Sequence, residues 1–126
     1  NEQRMKALGF AFAFFLFLCS SNCKEIFVQS GAPAGGNGTS SLPFSSIQEA
    51  LIAASSNDTI TLYNGTYTGT ANTMLTLGSL KNITIRGQNN DPALTVIQWS
   101  GPSYEPFLTT NATGAQIKIQ GIGFYG

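Results

Sequence analysis

Side chains able to do acid–base or nucleophilic chemistry are few in this sequence, and they are scattered. There is no histidine. Glu49, Asp58, Asp91 and Glu105 lack the pairing used in general acid–base catalysis and the close spacing of a calcium loop. Asp58 reads as a turn residue entering a strand. Asp91-Pro92 and Glu105-Pro106 read as local chain breaks. The Gly-rich stretch "SGAPAGGNGTSSLP" (30–43) has no Lys-Ser/Thr pair after it, so it reads as a connector and not as a phosphate cradle. No catalytic residue, metal ligand or cofactor-binding residue is assigned, and no cofactor is expected.

The remaining polar chemistry suits recognition. Arg86 is either a contact for an anionic sugar or a solvated edge charge. Trp99, Tyr104 and Phe107 offer flat faces to a sugar ring, and equally offer area for packing a corner. Arg86, Trp99 and Tyr104 are therefore the candidate carbohydrate contacts. Asn37, Asn57, Asn64, Asn82 and Asn111 each open an Asn-X-Thr triplet, the acceptor for N-glycosylation. Several of these also fall at turns, where Asn has its own backbone role.

The N-terminus sets the expected compartment. "MKALGFAFAFFLFLCSS" (5–21) has a basic start at Lys6, then an apolar run from Ala7 to Cys19, then small residues. This is a secretory signal-peptide pattern, and residues 1–21 are assigned to it. The run is short of the roughly 18 apolar residues that a membrane span needs. "NEQR" precedes Met5, the natural start, and the mature chain is expected to begin near Asn22. From there on, Lys24, Lys81, Arg86 and Lys118 face Glu25, Glu49, Asp58, Asp91 and Glu105, a net charge of −1. Nothing in that balance would draw a phosphate backbone, so nucleic acid is not an expected partner. The only cysteines are Cys19 and Cys23. Cleavage after Ser21 would leave Cys23 single, which excludes a disulfide framework.

"SSIQEALIAASS" (45–56) is the one clear helix. Ser45 with Gln48, or Ser46 with Glu49, forms a capping box. Ile47, Ala50, Leu51 and Ala54 make one apolar stripe. Strand-like segments surround it: 25–29, 58–63, 73–77, 82–86, 94–99 and 116–124, with no second helix between them. "DTITLYNGTYTG" (58–69) taken alone predicts a hairpin across Asn64-Gly65. Ile60, Ile83 and Ile117 open similar patterns, and 74–77 recurs at 107–110. That spacing suits a solenoid and a sandwich about equally.

The order of residues separates them. Pro43-Phe44, Ser46-Ile47, Ala50, Asp58, Ile60, Leu62, Gly65-Thr66-Tyr67, Lys81, Ile83, Ile85, Gly87, Thr95 and Ile97 resemble the cap helix and first coils of pectin-lyase-like proteins. The resemblance covers about residues 26–126. It implies an all-β right-handed parallel β-helix with an N-terminal capping helix at 45–55, the domain spanning 22–126. Asn64-Gly65 then becomes a corner, with 60–62 paired in parallel with 83–85. The family's catalytic residues lie on later coils, and this chain stops mid-pattern at Gly126. The expected protein is thus a secreted or cell-surface module with a binding or structural role, its partners carbohydrate or extracellular surfaces. The alternatives are the start of a pectin-esterase- or lyase-like enzyme, and the ectodomain of a protein anchored by a later membrane span.

Overall fold

The computed structural model describes residues 23–100 and 106–126. The expected signal peptide, Tyr104 and Glu105 lie outside them. The described chain is mostly β, with parallel strands in three sheets and two short helices. The order is β1 (Glu25–Val28), α1 (Ile47–Ala53), β2 (Thr59–Leu62), β3 (Gly65–Tyr67), α2 (Thr70–Thr73), β4 (Leu75–Thr76), β5 (Ile83–Gly87), β6 (Thr95–Gln98), β7 (Leu108–Thr109), β8 (Ile117–Gln120) and β9 (Gly123–Tyr125). The first sheet runs β1-β2-β5-β8, the second β3-β6-β9 and the third β4-β7. From β2 onward the chain visits first, second and third sheets in turn, then repeats.

Strand alternation explains what is inside. Ile26, Val28, Ile60, Leu62, Ile83 and Ile85 from the first sheet are buried, as are Tyr67 and Ile97 from the second and Leu75 from the third. Parallel register stacks them: Ile26 on Ile60 on Ile85, and Val28 on Leu62. Leu75 stacks on Leu108, as the recurrence of 74–77 at 107–110 predicts. Exposure grows toward the last strands, reaching 40% at Ile119 and 49% at Phe124.

Asn64-Gly65 turns a corner and makes no hairpin. Leu62 pairs with Val28 and Gly87, while Tyr67 pairs with Ile97 in the second sheet. The register differs by two residues from the expected one. Ile60 lies against Ile85, and Leu62 against Gly87. The inward place next to Ile83 belongs to Asp58, which is fully buried. Asp58 is therefore more than a turn residue. Its carboxylate accepts from the Lys24 N–H at 3.0 Å and the Ser55 N–H at 2.8 Å. It ties the start of β1 to the chain leaving α1.

The capping helix is Ile47–Ala53, shorter than 45–55. Ser46 is the N-cap, accepting from the Glu49 N–H. Both Ser45 and Ser46 hydroxyls donate to Glu49 Oε1, at 2.7 and 3.1 Å. The Ile47 N–H, one of the donors that a helix start leaves unpaired, is met by Asn72 Oδ1 at 2.8 Å. Ile47, Ala50 and Leu51 face the core, while Ala54 is only partly covered. Asn72 sits on α2, the second helix that the sequence pattern does not show, because "TANT" is too short for a periodic stripe. The segment expected as a strand over 73–77 pairs only at Leu75–Thr76. The segment 116–124 is two strands, because Gly121 turns the chain at φ 61°. A Cβ there would lie 2.4 Å from the Asn90 Cα, so only glycine fits.

Two buried polar groups give stability tests. Asp58→Ala takes the acceptor from two part-buried N–H donors, at a cost of about 1–3 kcal/mol in all. The exposed Asp91→Ala should cost less than about 1 kcal/mol. Urea unfolding of both variants checks this difference. Tyr67 lies in the core with its hydroxyl 2.7 Å from the Tyr63 carbonyl and 3.1 Å from that of Val28. Burial pushes its pKa from 10.0 up to about 12, against a smaller lowering by a backbone hydrogen bond from Ser30. Below pH 10 both folded and unfolded chains hold the proton, and this contribution is intact. Between pH 10 and 12 the unfolded chain sheds it first, so about 3 kcal/mol of stability is lost. Relative to wild type, Tyr67→Phe should flatten the stability–pH curve in that window.

Candidate binding face

The outward residues of the first sheet form a regular, largely polar surface. Parallel register sets Glu25, Thr59, Thr84 and Lys118 in one row across four strands. Phe27, Thr61, Arg86 and Gln120 make the adjacent row. Neighbouring strands lie about 4.8 Å apart, so each row is a ladder of side chains at near-constant spacing.

One network crosses three strands. The Thr61 hydroxyl donates to Glu25 Oε1 at 2.5 Å, and Arg86 Nη2 meets the same oxygen at 3.1 Å. Arg86 Nε donates to Thr61 Oγ1 at 3.2 Å. The Thr61 hydroxyl thus relays between acid and base. Arg86 is a partly exposed charge whose guanidinium is held by a carboxylate and a hydroxyl. The Phe27 and Tyr63 rings meet beside this network at a tilt of 40°, with centroids 5.6 Å apart.

Over these rows lies an open groove of about 410 Å³, lined among others by Lys24, Glu25, Thr84, Arg86, Lys118 and Gln120. A second groove of about 380 Å³ shares Thr84 and Lys118 with it and reaches Asn82 and Gln116. Charge is concentrated here. Of the described cations Lys24, Lys81, Arg86 and Lys118, all but Lys81 line the larger groove. Glu25 is the one carboxylate in its lining, and it is engaged by Arg86 and Thr61. Lys24 Nζ donates to the Ala53 carbonyl at 3.1 Å and stands 4.0 Å from Asp58. Lys118 makes no ion pair among the described residues. The groove can therefore offer ammonium, guanidinium, hydroxyl and amide donors to an anionic or hydroxyl-rich ligand. It holds a single, committed carboxylate, where paired-acid chemistry needs two. Among the described residues no group of three or more His, Cys, Asp or Glu side chains gathers as a metal site would require.

The other candidate contacts sit elsewhere. Trp99 follows β6, with its N–H donating to the Tyr125 carbonyl at 2.7 Å. It lines a separate cleft of about 200 Å³ with Ile97, Phe107, Phe124 and Tyr125. Phe107 and Phe124 meet edge-to-face at 5.1 Å. Arg86 and Trp99 share no groove. Cys23 is disulfide-bonded in the uncleaved chain; the single-thiol reading concerns the chain after cleavage. All five candidate glycosylation asparagines are exposed. Asn82 Nδ2 donates to Asn57 Oδ1 at 3.1 Å, and Asn89 Nδ2 to Asn64 Oδ1 at 3.2 Å, so the corners flanking the first sheet carry stacked asparagines.

Sequence reasoning missed Glu25, Thr61, Lys118 and Gln120 as members of this face. Their signal was outward alternation on separate strands. It becomes a site only once the register is known. No protein-family model, curated protein or solved structure matches this chain. No helix among the described residues is long and apolar enough to cross a membrane.

The Glu25 and Arg86 side chains are about two-fifths exposed, so water screens their pair. Glu25→Gln should change stability by less than about 1 kcal/mol, as read by urea unfolding. A loss well above that would show that the pair holds the sheet together.

Proposed function

We propose that this chain is the capped beginning of a right-handed parallel β-helix similar to pectin-lyase-like proteins, secreted or displayed at a cell surface, and that it binds carbohydrate without cleaving it. Three parallel sheets visited in turn, a helix over one end and the stacked core support the β-helix reading. The handedness follows from the strong rule for parallel crossovers. The observation that carries the binding role is the groove on the first sheet. Three cations and a threonine row line it, and its one carboxylate is committed to Arg86 and Thr61.

The ligand that fits is an oligosaccharide bearing carboxylates. Lys118 meets an acidic group as a point charge, and Thr84 and Gln120 meet hydroxyls. The flat, open floor suits an extended chain more than a compact small molecule. Because Glu25 already neutralises Arg86, the attraction is modest and sensitive to salt.

Titration calorimetry with acidic and neutral oligosaccharides of equal length tests the reading. The acidic chain should bind more tightly, and added salt should weaken it. Lys118→Ala should cost roughly three- to tenfold in affinity, as expected for one partly screened charge contact. The ligand should be recovered intact. Equal binding of the neutral chain, or an unchanged affinity in Lys118→Ala, would contradict the assignment.

A further inference from the structure

The five Asn-X-Thr sites are not equivalent in the folded chain. N-glycosylation joins Nδ2 of the asparagine to the anomeric carbon of an oligosaccharide carried on a lipid diphosphate. The Nδ2–C1 bond forms, the bond from C1 to the diphosphate oxygen breaks, the lipid diphosphate leaves, and Nδ2 gives up one proton. A fold accommodates the product where Nδ2 faces solvent and no packed structure needs it as a donor.

Asn37 meets that condition. Its Oδ1 accepts from the Thr39 N–H at 3.1 Å and the Thr39 hydroxyl at 2.7 Å, an Asx-turn within the triplet itself, with Nδ2 left toward solvent. Asn64 and Asn57 meet it too. Each uses Oδ1 as an acceptor, from Asn89 and Asn82 respectively, so Nδ2 is spare. Asn82 is the reverse case. Its Nδ2 is the donor in the stack, 3.1 Å from Asn57 Oδ1. Register puts Gln116 on its other side, one strand on. Asn82 also lines the groove that shares Thr84 and Lys118 with the binding face. A sugar there would stand at the rim of that face.

We propose that the folded, secreted chain carries N-glycans at Asn37, Asn57 and Asn64 and keeps Asn82 bare, which leaves the groove on the first sheet open. The inference rests on the extracellular reading given above. It does not depend on which ligand the groove takes.

The test is a site-by-site occupancy map. The full chain is secreted from a eukaryotic host behind a heterologous leader, so that export does not depend on residues 1–22. The secreted protein is treated with peptide N-glycosidase in heavy-oxygen water, and its peptides are analysed by mass spectrometry. Labelled aspartate is expected at positions 37, 57 and 64, with unlabelled asparagine at 82. Asn64→Gln should run one glycan faster on a gel, and Asn82→Gln should run unchanged. Asn82 occupied as fully as the others in the secreted protein would overturn the proposal, as would three bare sites at 37, 57 and 64. Parallel expression of the chain behind its own N-terminus separates the two readings. Retention of that form in the cell, beside the expected map with the heterologous leader, would count against the extracellular reading alone.

Discussion

A stack of parallel strands has one constraint that governs the rest: its first layer must find partners for a row of backbone groups that no strand supplies. Here the connector and the helix supply them. The Phe27 N–H donates to Gly38 O, the Phe44 N–H to Phe27 O and the Gln29 N–H to Phe44 O, so residues 38–44 pair with the outer edge of β1. At β4 the Gln48 amide does the same work from α1. Its Oε1 accepts from the Thr76 N–H at 2.9 Å and its Nε2 donates to the Thr76 carbonyl at 3.2 Å. At β3 the Ser30 hydroxyl donates to the Thr66 carbonyl. An exposed edge of this kind otherwise recruits other strands.

Closure of that edge fixes the interior. With α1 seated by Ser46 and Asn72, its apolar face covers the first inward layer, and the later strands stack on it in parallel. Asp58 and Tyr67 are among the polar side chains buried inside, with Asn72, Thr73 and Thr95, and each of the two satisfies backbone groups that the turns around it leave over. The outer face then follows as geometry. Once the inward residues are in register, Glu25, Thr61 and Arg86 are brought within hydrogen-bonding reach from positions up to 61 residues apart.

Much of this was legible in the residues, and the failures are instructive. The alternation of Ile and Leu marked the inward faces, and Ser46-Ile47 with Glu49 marked the helix start. Parallel pairing and the corner at Asn64-Gly65 came from the resemblance, since the Asn-Gly loop taken alone predicted a hairpin and spacing did not decide between solenoid and sandwich. The register slipped by two because a buried carboxylate is not an expected occupant of an inward place, and Asp58 fills one. The second helix was invisible because its four residues have no period to read. Arg86 was legible as a candidate and not as a paired group, because its partners lie on two other strands. Trp99 and Arg86 were grouped by chemistry, and the fold separates them.

Residue-resolved amide exchange of the purified chain tests the central claim, that the connector and Gln48 complete the first layer. The Phe27, Gln29, Phe44 and Thr76 amides should be protected to within about tenfold of the mid-sheet amides of Ile60 and Ile85, because structured hydrogen bonds of one cooperative unit open together. Exchange of those four at the rate of unstructured peptide, with Ile60 and Ile85 still protected, would contradict the account.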